Sequence, residues 1–189
     1  MRLSRNVRCL ILLAGMGAIA CPTLLGLDAG YRFNLTPSLP MGLYRVTPVT
    51  PARQLQRGSL VVFCPAPDTA WDLVASRGYA PPGSCAIGTT PLMKTVAGLP
   101  GDAVVFTATQ LIVGDTSYPI QTEDRAGRAL PRTHIGARQV RPGHVLVLTP
   151  EPWSFDSRYA GDLAINTIQG TAIAMVTKSL PTATTGYGR

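Results

Sequence analysis

The chain opens with a long apolar stretch and then breaks into short runs. From Cys9 to Leu27, the segment CLILLAGMGAIACPTLLGL carries no charged residue. A helix of that length spans roughly 28 Å, close to the hydrocarbon thickness of a bilayer. Beyond Tyr31 the apolar positions fall in brief β-branched runs: Gly58 to Phe63 (GSLVVF), Ala103 to Phe106 (AVVF), Gln110 to Val113, Gly143 to Leu148 (GHVLVL) and Thr171 to Val176 (TAIAMV). Such runs, bounded by turn residues, predict strands. Arg57-Gly58, Pro100-Gly101 and Pro142-Gly143 put a turn before three of them. Asp68 to Arg77 (DTAWDLVASR) predicts one short helix capped by Asp68. Gln121 to Arg138 is polar and arginine-rich and reads as an exposed loop. The predicted fold class is therefore mainly β.

The organisation that follows is a basic segment at 1–8, an apolar segment at 9–27, one domain at 28–178 and a flexible tail at 179–189. There is no internal repeat and no second domain. Arg2, Arg5 and Arg8 precede the apolar segment, so the positive-inside rule places the amino terminus in the cytoplasm and the bulk of the chain outside. A retained transmembrane anchor is one reading. Ala18-Ile19-Ala20 also fits a cleaved signal peptide, and AIAC ending at Cys21 loosely fits a lipidation site. All three deliver the domain across the membrane.

Composition supports this picture. With Gly 19 and Pro 17, turns and short strands are favoured over long helices. The net charge is +7, of which the three leading arginines supply +3, leaving 14 basic against 10 acidic residues. These are scattered and little interleaved with aromatics, which argues against a nucleic-acid partner. Cys64 and Cys85 bracket a Pro/Gly-rich excursion. An oxidising compartment would let them pair, closing a loop worth on the order of 3 kcal/mol, whereas a reducing one would leave two free thiols.

Lysine is rare, and that changes the picture most. Only Lys94 and Lys178 are lysines, and Lys94 sits in the apolar run PLMKTVAGLPG. A lysine desolvated by such neighbours can lose its proton and act as a base, which an arginine cannot. Ser38 lies between Pro37 and Pro40 in TPSLPMGLY, where the prolines predict a stiff, extended presentation of its hydroxyl. A serine needs a neighbouring base to become a nucleophile. No G-x-S-x-G elbow, zinc-ligand spacing or phosphate-binding loop is present, so no metal or cofactor is expected.

Four segments, in order, carry a resemblance. SLPMGLYRV (Ser38 to Val46) resembles the S-x-P-x-G-x-Y serine box of the conjugative-transfer, TraF-type branch of the signal peptidase I family. RGSLVVF (Arg57 to Phe63) resembles its next strand box, LMKTVAGLPGD (Leu92 to Asp102) its lysine box, and SFDSRYAG (Ser154 to Gly161) its S-x-D-S-R-Y-x-G box. The segment Thr149 to Trp153 departs from the housekeeping enzymes, as do Pro40 and Gly42 in the serine box.

The resemblance implies a signal-peptidase-type β-rich catalytic domain behind one N-terminal transmembrane helix, on the periplasmic side of a bacterial inner membrane. Ser38 would be the nucleophile and Lys94 its base. Thr36 and the Ser38 N–H would stabilise the oxyanion. Ser154 would sit by the lysine ammonium, with Asp156 and Arg158 as a supporting ion pair, while Gly98, Pro100, Gly101 and Asp102 would be structural. From its position alone, and not from the resemblance, the 64–85 excursion would cap the substrate groove. The expected activity is that of a serine endopeptidase maturing a conjugative pilin by cleavage, with or without cyclisation, alongside other type IV secretion components. Its partner would be a precursor bound as an extended strand. A general signal peptidase is the alternative within the enzyme class, and a non-catalytic periplasmic scaffold the alternative outside it.

Overall fold

The computed structural model describes residues 30–49, 55–67, 69–132 and 135–178. The apolar segment, Asp68, His134 and the tail from Ser179 lie outside the described residues. Among the described residues, eleven strands form two antiparallel sheets: β1 (Tyr31–Asn34), β2 (Met41–Pro48), β3 (Leu60–Phe63), β4 (Leu92–Gly98), β5 (Ala103–Phe106), β6 (Gln110–Val113), β7 (Thr116–Pro119), β8 (Gly136–Gln139), β9 (His144–Leu148), β10 (Leu163–Ala164) and β11 (Ile168–Lys178). The larger sheet runs β1-β2-β11-β3-β4-β9-β10, the smaller β7-β6-β5-β8. The chain is mainly β, and among the described residues no helix is long and apolar enough to cross a membrane.

The core explains why the strand patterns look as they do. In β9, Val145 and Val147 pack into one apolar cluster with Val61, Val96 and Phe63, while Leu146 and Leu148 pack into a second with Val104, Phe106 and Leu111. A strand covered on both faces needs a continuous apolar run rather than alternation, and HVLVL provides it. The second cluster joins β9 of the larger sheet to β5 and β6 of the smaller one.

In β4 the alternate residues Lys94, Val96 and Gly98 are buried, and Lys94 lies opposite Val61 in the β3 register. The lysine thus occupies a core position in the period-two pattern. Gly98 is small for a reason: a Cβ there would stand 3.1 Å from Leu146 Cβ and 3.2 Å from Val140 Cγ2. Gly101, at φ +87°, turns the chain out of β4, and Asp102 ties that turn to Arg57 and to the Leu99 N–H.

Several sequence expectations are corrected. The helix expected from Asp68 to Arg77 is a 3-10 turn, Ala70–Asp72, followed by α1, Leu73–Ser76. Thr69 supplies its cap, its hydroxyl accepting from the Trp71 N–H. Trp71 and Val74 are pulled into the first core cluster, so packing rather than helical propensity sets this segment's shape. The polar segment from Gln121 is not wholly a loop, because its far end forms β8 against β5. β11 extends well beyond the predicted Thr171 to Val176, pairing with both β2 and β3.

Candidate active site

The hairpin β1–β2 turns through residues 35–40, which carry Thr36 and Ser38. Pro37 and Ser38 form a turn rather than the extended stretch that the prolines alone suggested. The reason is Asn34, the buried last residue of β1, whose Nδ2 donates to the carbonyls of Thr36 (3.0 Å), Leu39 (3.0 Å) and Pro40 (3.2 Å). Its Oδ1 accepts from the Thr36 N–H at 3.2 Å and from Thr36 Oγ1 at 2.8 Å. Tyr44, buried on β2, donates its hydroxyl to the Pro40 carbonyl at 2.6 Å. Gly42 lets β11 close on the far side, since a Cβ there would lie 2.1 Å from the Val176 carbonyl oxygen. The turn is held from both flanks.

Ser38 and Lys94 line one cavity of about 490 Å³, together with Thr36, Met93 and Ser154. Among the described residues Ser38 Oγ has one hydrogen-bond partner, Thr36 Oγ1 at 3.3 Å, and Lys94 Nζ has one, Ser154 Oγ at 2.6 Å. Lys94 is 7% exposed. Desolvation by that burial pulls its pKa from 10.5 to about 8, with the Asp156 carboxylate opposing the shift and the Arg158 guanidinium adding to it. About a tenth of the lysine is then neutral at pH 7 and about half near pH 8, and the neutral form is the one a general base requires. A second cavity of about 570 Å³, lined by Thr95, Tyr118 and Thr149 among others, contains neither Ser38 nor Lys94.

Behind Lys94 lies α2, Ser157–Ala160, capped by Asp156. Asp156 and Arg158 are completely buried and joined by two side-chain hydrogen bonds and one from the Arg158 N–H, which excludes a surface pair. Arg158 also donates to the carbonyls of Pro119, Glu151 and Ser154, so the segment carrying Ser154 wraps around the guanidinium. A buried arginine needs this set of acceptors. Neither member of the pair lines the cavity; Arg158 holds the Ser154 carbonyl, and the charges of both reach Lys94.

A disulfide joins Cys64 and Cys85, with Cα atoms 5.2 Å apart. The cysteines do not line the cavity, but Val74, Tyr79, Ala80 and Pro81 from the excursion between them do. Tyr79 donates to Asp124 at 2.6 Å, and Asp124 also takes Arg128 at 2.7 Å. Phe155 contacts both Trp71 and Tyr79, linking the excursion to the residue beside Ser154. Asn34 and Phe155 were not singled out in the sequence. The sequence offered for Asn34 no more than a polar residue four positions before the serine.

The profile of the Peptidase S26 family (signal peptidase, peptidase S26) matches residues 4–177, and the chain belongs to that family, in its TraF-type, conjugative-transfer branch. The conjugal transfer protein TraF of Agrobacterium tumefaciens (strain 15955) is 37% identical over 164 residues, covering 83% of this chain and 89% of that protein. A plasmid transfer protein TraF of Escherichia coli is 31% identical over 166 residues, covering 86% and 90%. A signal peptidase I crystal structure from Enterococcus faecalis V583 is 20% identical, with a TM-score of 0.35 over 63% of this chain and 97% of that one. The family assignment rests on the profile and the TraF relatives.

Proposed function

We propose that the protein is a membrane-anchored Ser/Lys endopeptidase that matures an exported precursor, foremost a conjugative pilin subunit. The observation that carries this reading is a buried lysine with a lowered pKa sharing one cavity with a serine held in a clamped turn. The relatives are named as conjugal and plasmid transfer proteins, which supports a role in conjugative transfer; the pilin as substrate is part of the proposal.

Ser38 Oγ attacks the scissile carbonyl carbon as its proton passes to neutral Lys94. The carbonyl electrons move onto oxygen, where the Ser38 N–H and the Thr36 hydroxyl donate to the oxyanion; such donors are typically worth about 3 kcal/mol each. Collapse of the tetrahedral intermediate breaks the C–N bond, and Lys94 returns the proton to the leaving amine. The acyl-enzyme on Ser38 is then resolved by water, giving a linear product, or by an amine, giving a cyclic one lighter by one water. Ser154 orients Lys94 throughout. The precursor lies along the groove as an extended strand, with the domain in the periplasm beside the inner membrane.

Co-expression with a candidate pilin precursor tests this reading. Wild type should yield the processed subunit, and Ser38→Ala or Lys94→Arg should yield none, since guanidinium cannot serve as base. Full processing by either variant would leave the scaffold reading in its place.

A further inference from the structure

Asn34 has spent its entire hydrogen-bonding capacity on the serine turn, and the arrangement fixes which way its amide points. Three carbonyl oxygens, those of Thr36, Leu39 and Pro40, converge on one end, which must therefore be the nitrogen. The other end meets the Thr36 N–H, which can only donate, so it is the oxygen. That oxygen accepts only, so the single hydroxyl proton of Thr36 lies on Asn34, across 2.8 Å. It follows that Ser38 is the donor in its contact with Thr36. At 3.3 Å that contact is long for an O–H···O bond and easily left. The tight link is Asn34 to Thr36, and the loose one is Thr36 to Ser38.

We propose that Asn34 is a positioning residue for the reaction: through its carboxamide oxygen it fixes Thr36 Oγ1 beside Ser38 Oγ, and it acts on the chemistry through the Thr36 hydroxyl. This rests on the Ser/Lys reading above. As Ser38 Oγ bonds to the carbonyl carbon and its proton passes to Lys94, the Thr36 hydroxyl swings from Asn34 Oδ1 to the new oxyanion. The Thr36 N–H stays on Asn34 Oδ1, so the backbone beneath the hydroxyl does not move. Asn34 is thus the fixed point from which a donor can turn without losing its place. Its other three bonds keep the nucleophile's own backbone in the same frame.

A double-mutant cycle on the full chain in detergent micelles tests the inference. The substrate is a quenched fluorescent peptide with alanines before the scissile bond. Asn34→Ala should lower kcat by about 10²-fold with KM nearly unchanged, the penalty expected for a misplaced group. In a Thr36→Val background, which lacks the hydroxyl, the same substitution should lower kcat by a clearly smaller factor, about tenfold or less, the share carried by its bonds to the turn's backbone. Equal factors in the two backgrounds would mean that Asn34 merely braces the loop, and would overturn the proposal. Should Asn34→Ala not fold, Asn34→Gln serves in its place, because it keeps both the amide donor for the three carbonyls and the acceptor while shifting them by one methylene. The displaced acceptor should depress kcat in the Thr36 background far more than in the Thr36→Val background. Equal depression again overturns the proposal. Ser38→Ala, run in parallel, separates the two levels: full turnover by that variant sinks the Ser/Lys reading, whereas additive effects with an inactive Ser38→Ala sink only the role of Asn34.

Discussion

Arg158 lies against Asp156 with no solvent exposure, its Nε 2.9 Å from Oδ1 and its Nη2 2.8 Å from Oδ2. The same guanidinium gathers the carbonyls of Glu151 and Ser154. Arg158→Met would leave a buried carboxylate unpaired and release that segment, which should destabilise the domain by about 3–5 kcal/mol. Arg158→Lys keeps the charge but not the forked geometry, and should recover only part of the loss. Denaturant unfolding measures both. An Arg158→Met midpoint equal to wild type would contradict the structural role given to the pair.

Lys94 should make the protein less stable than it would be with a neutral side chain. The unfolded chain holds the lysine proton up to 10.5, whereas the folded protein releases it above about 8. Between those values the unfolded state binds more protons, so stability rises with pH across that window. Below about 8 the folded protein carries the buried ammonium at its full penalty, on the order of 3 kcal/mol. Lys94→Met should therefore raise Tm at pH 7, less the lost bond to Ser154, and its advantage should shrink toward pH 10. A lower Tm at pH 7 would contradict the burial argument.

Ser154 accepts from Lys94 Nζ and favours its charged form. Ser154→Ala should slow cleavage by about tenfold or more through loss of orientation. It should also move the rising limb of the pH–rate profile to lower pH, because an ammonium without its acceptor gives up its proton sooner. An unshifted profile with an unchanged rate would remove Ser154 from the site.

The Cys64–Cys85 disulfide closes a loop of sequence separation 21 around a segment that walls the groove with Val74 and Tyr79. Replacing both cysteines by serine should lower the unfolding free energy by about 3 kcal/mol. Because Trp71 and Val74 remain anchored in the core, the domain should still fold, and competition between peptides differing before the scissile bond should show a changed preference. Unchanged stability and preference would show that the excursion is not a wall of the site.

Much of this was legible in the sequence where local pattern and chemistry coincide. Lys94 stood out because a lysine among Leu92, Met93, Val96 and Ala97 breaks the apolar run, and the fold buries it. The runs at Ala103 and Gln110 became strands with the predicted bounds, since one strand period covers each. β1 and β2 were not delimited, because Gly42 and Pro48 blur the alternation of MGLYRVTP and Tyr44 buries its ring where a polar tip is commoner. The burial of Asp156 and Arg158 could not be read from SFDSRYAG, for it depends on carbonyls supplied by Pro119, Glu151 and Ser154. Nothing in the local sequence distinguishes Asn34; the convergence of three carbonyls on its side chain does.

The central claim, that Ser38 forms the acyl-enzyme with Lys94 as its base, is tested most directly by rapid-quench mass spectrometry. A substrate peptide is mixed with the full-length protein at a pH just above 8 and the adduct is located by peptide mapping. The account predicts an acyl adduct on Ser38 in the wild type, no adduct in Ser38→Ala, and none on the same timescale in Lys94→Arg. An adduct on another residue, or its undiminished formation in Lys94→Arg, would contradict it.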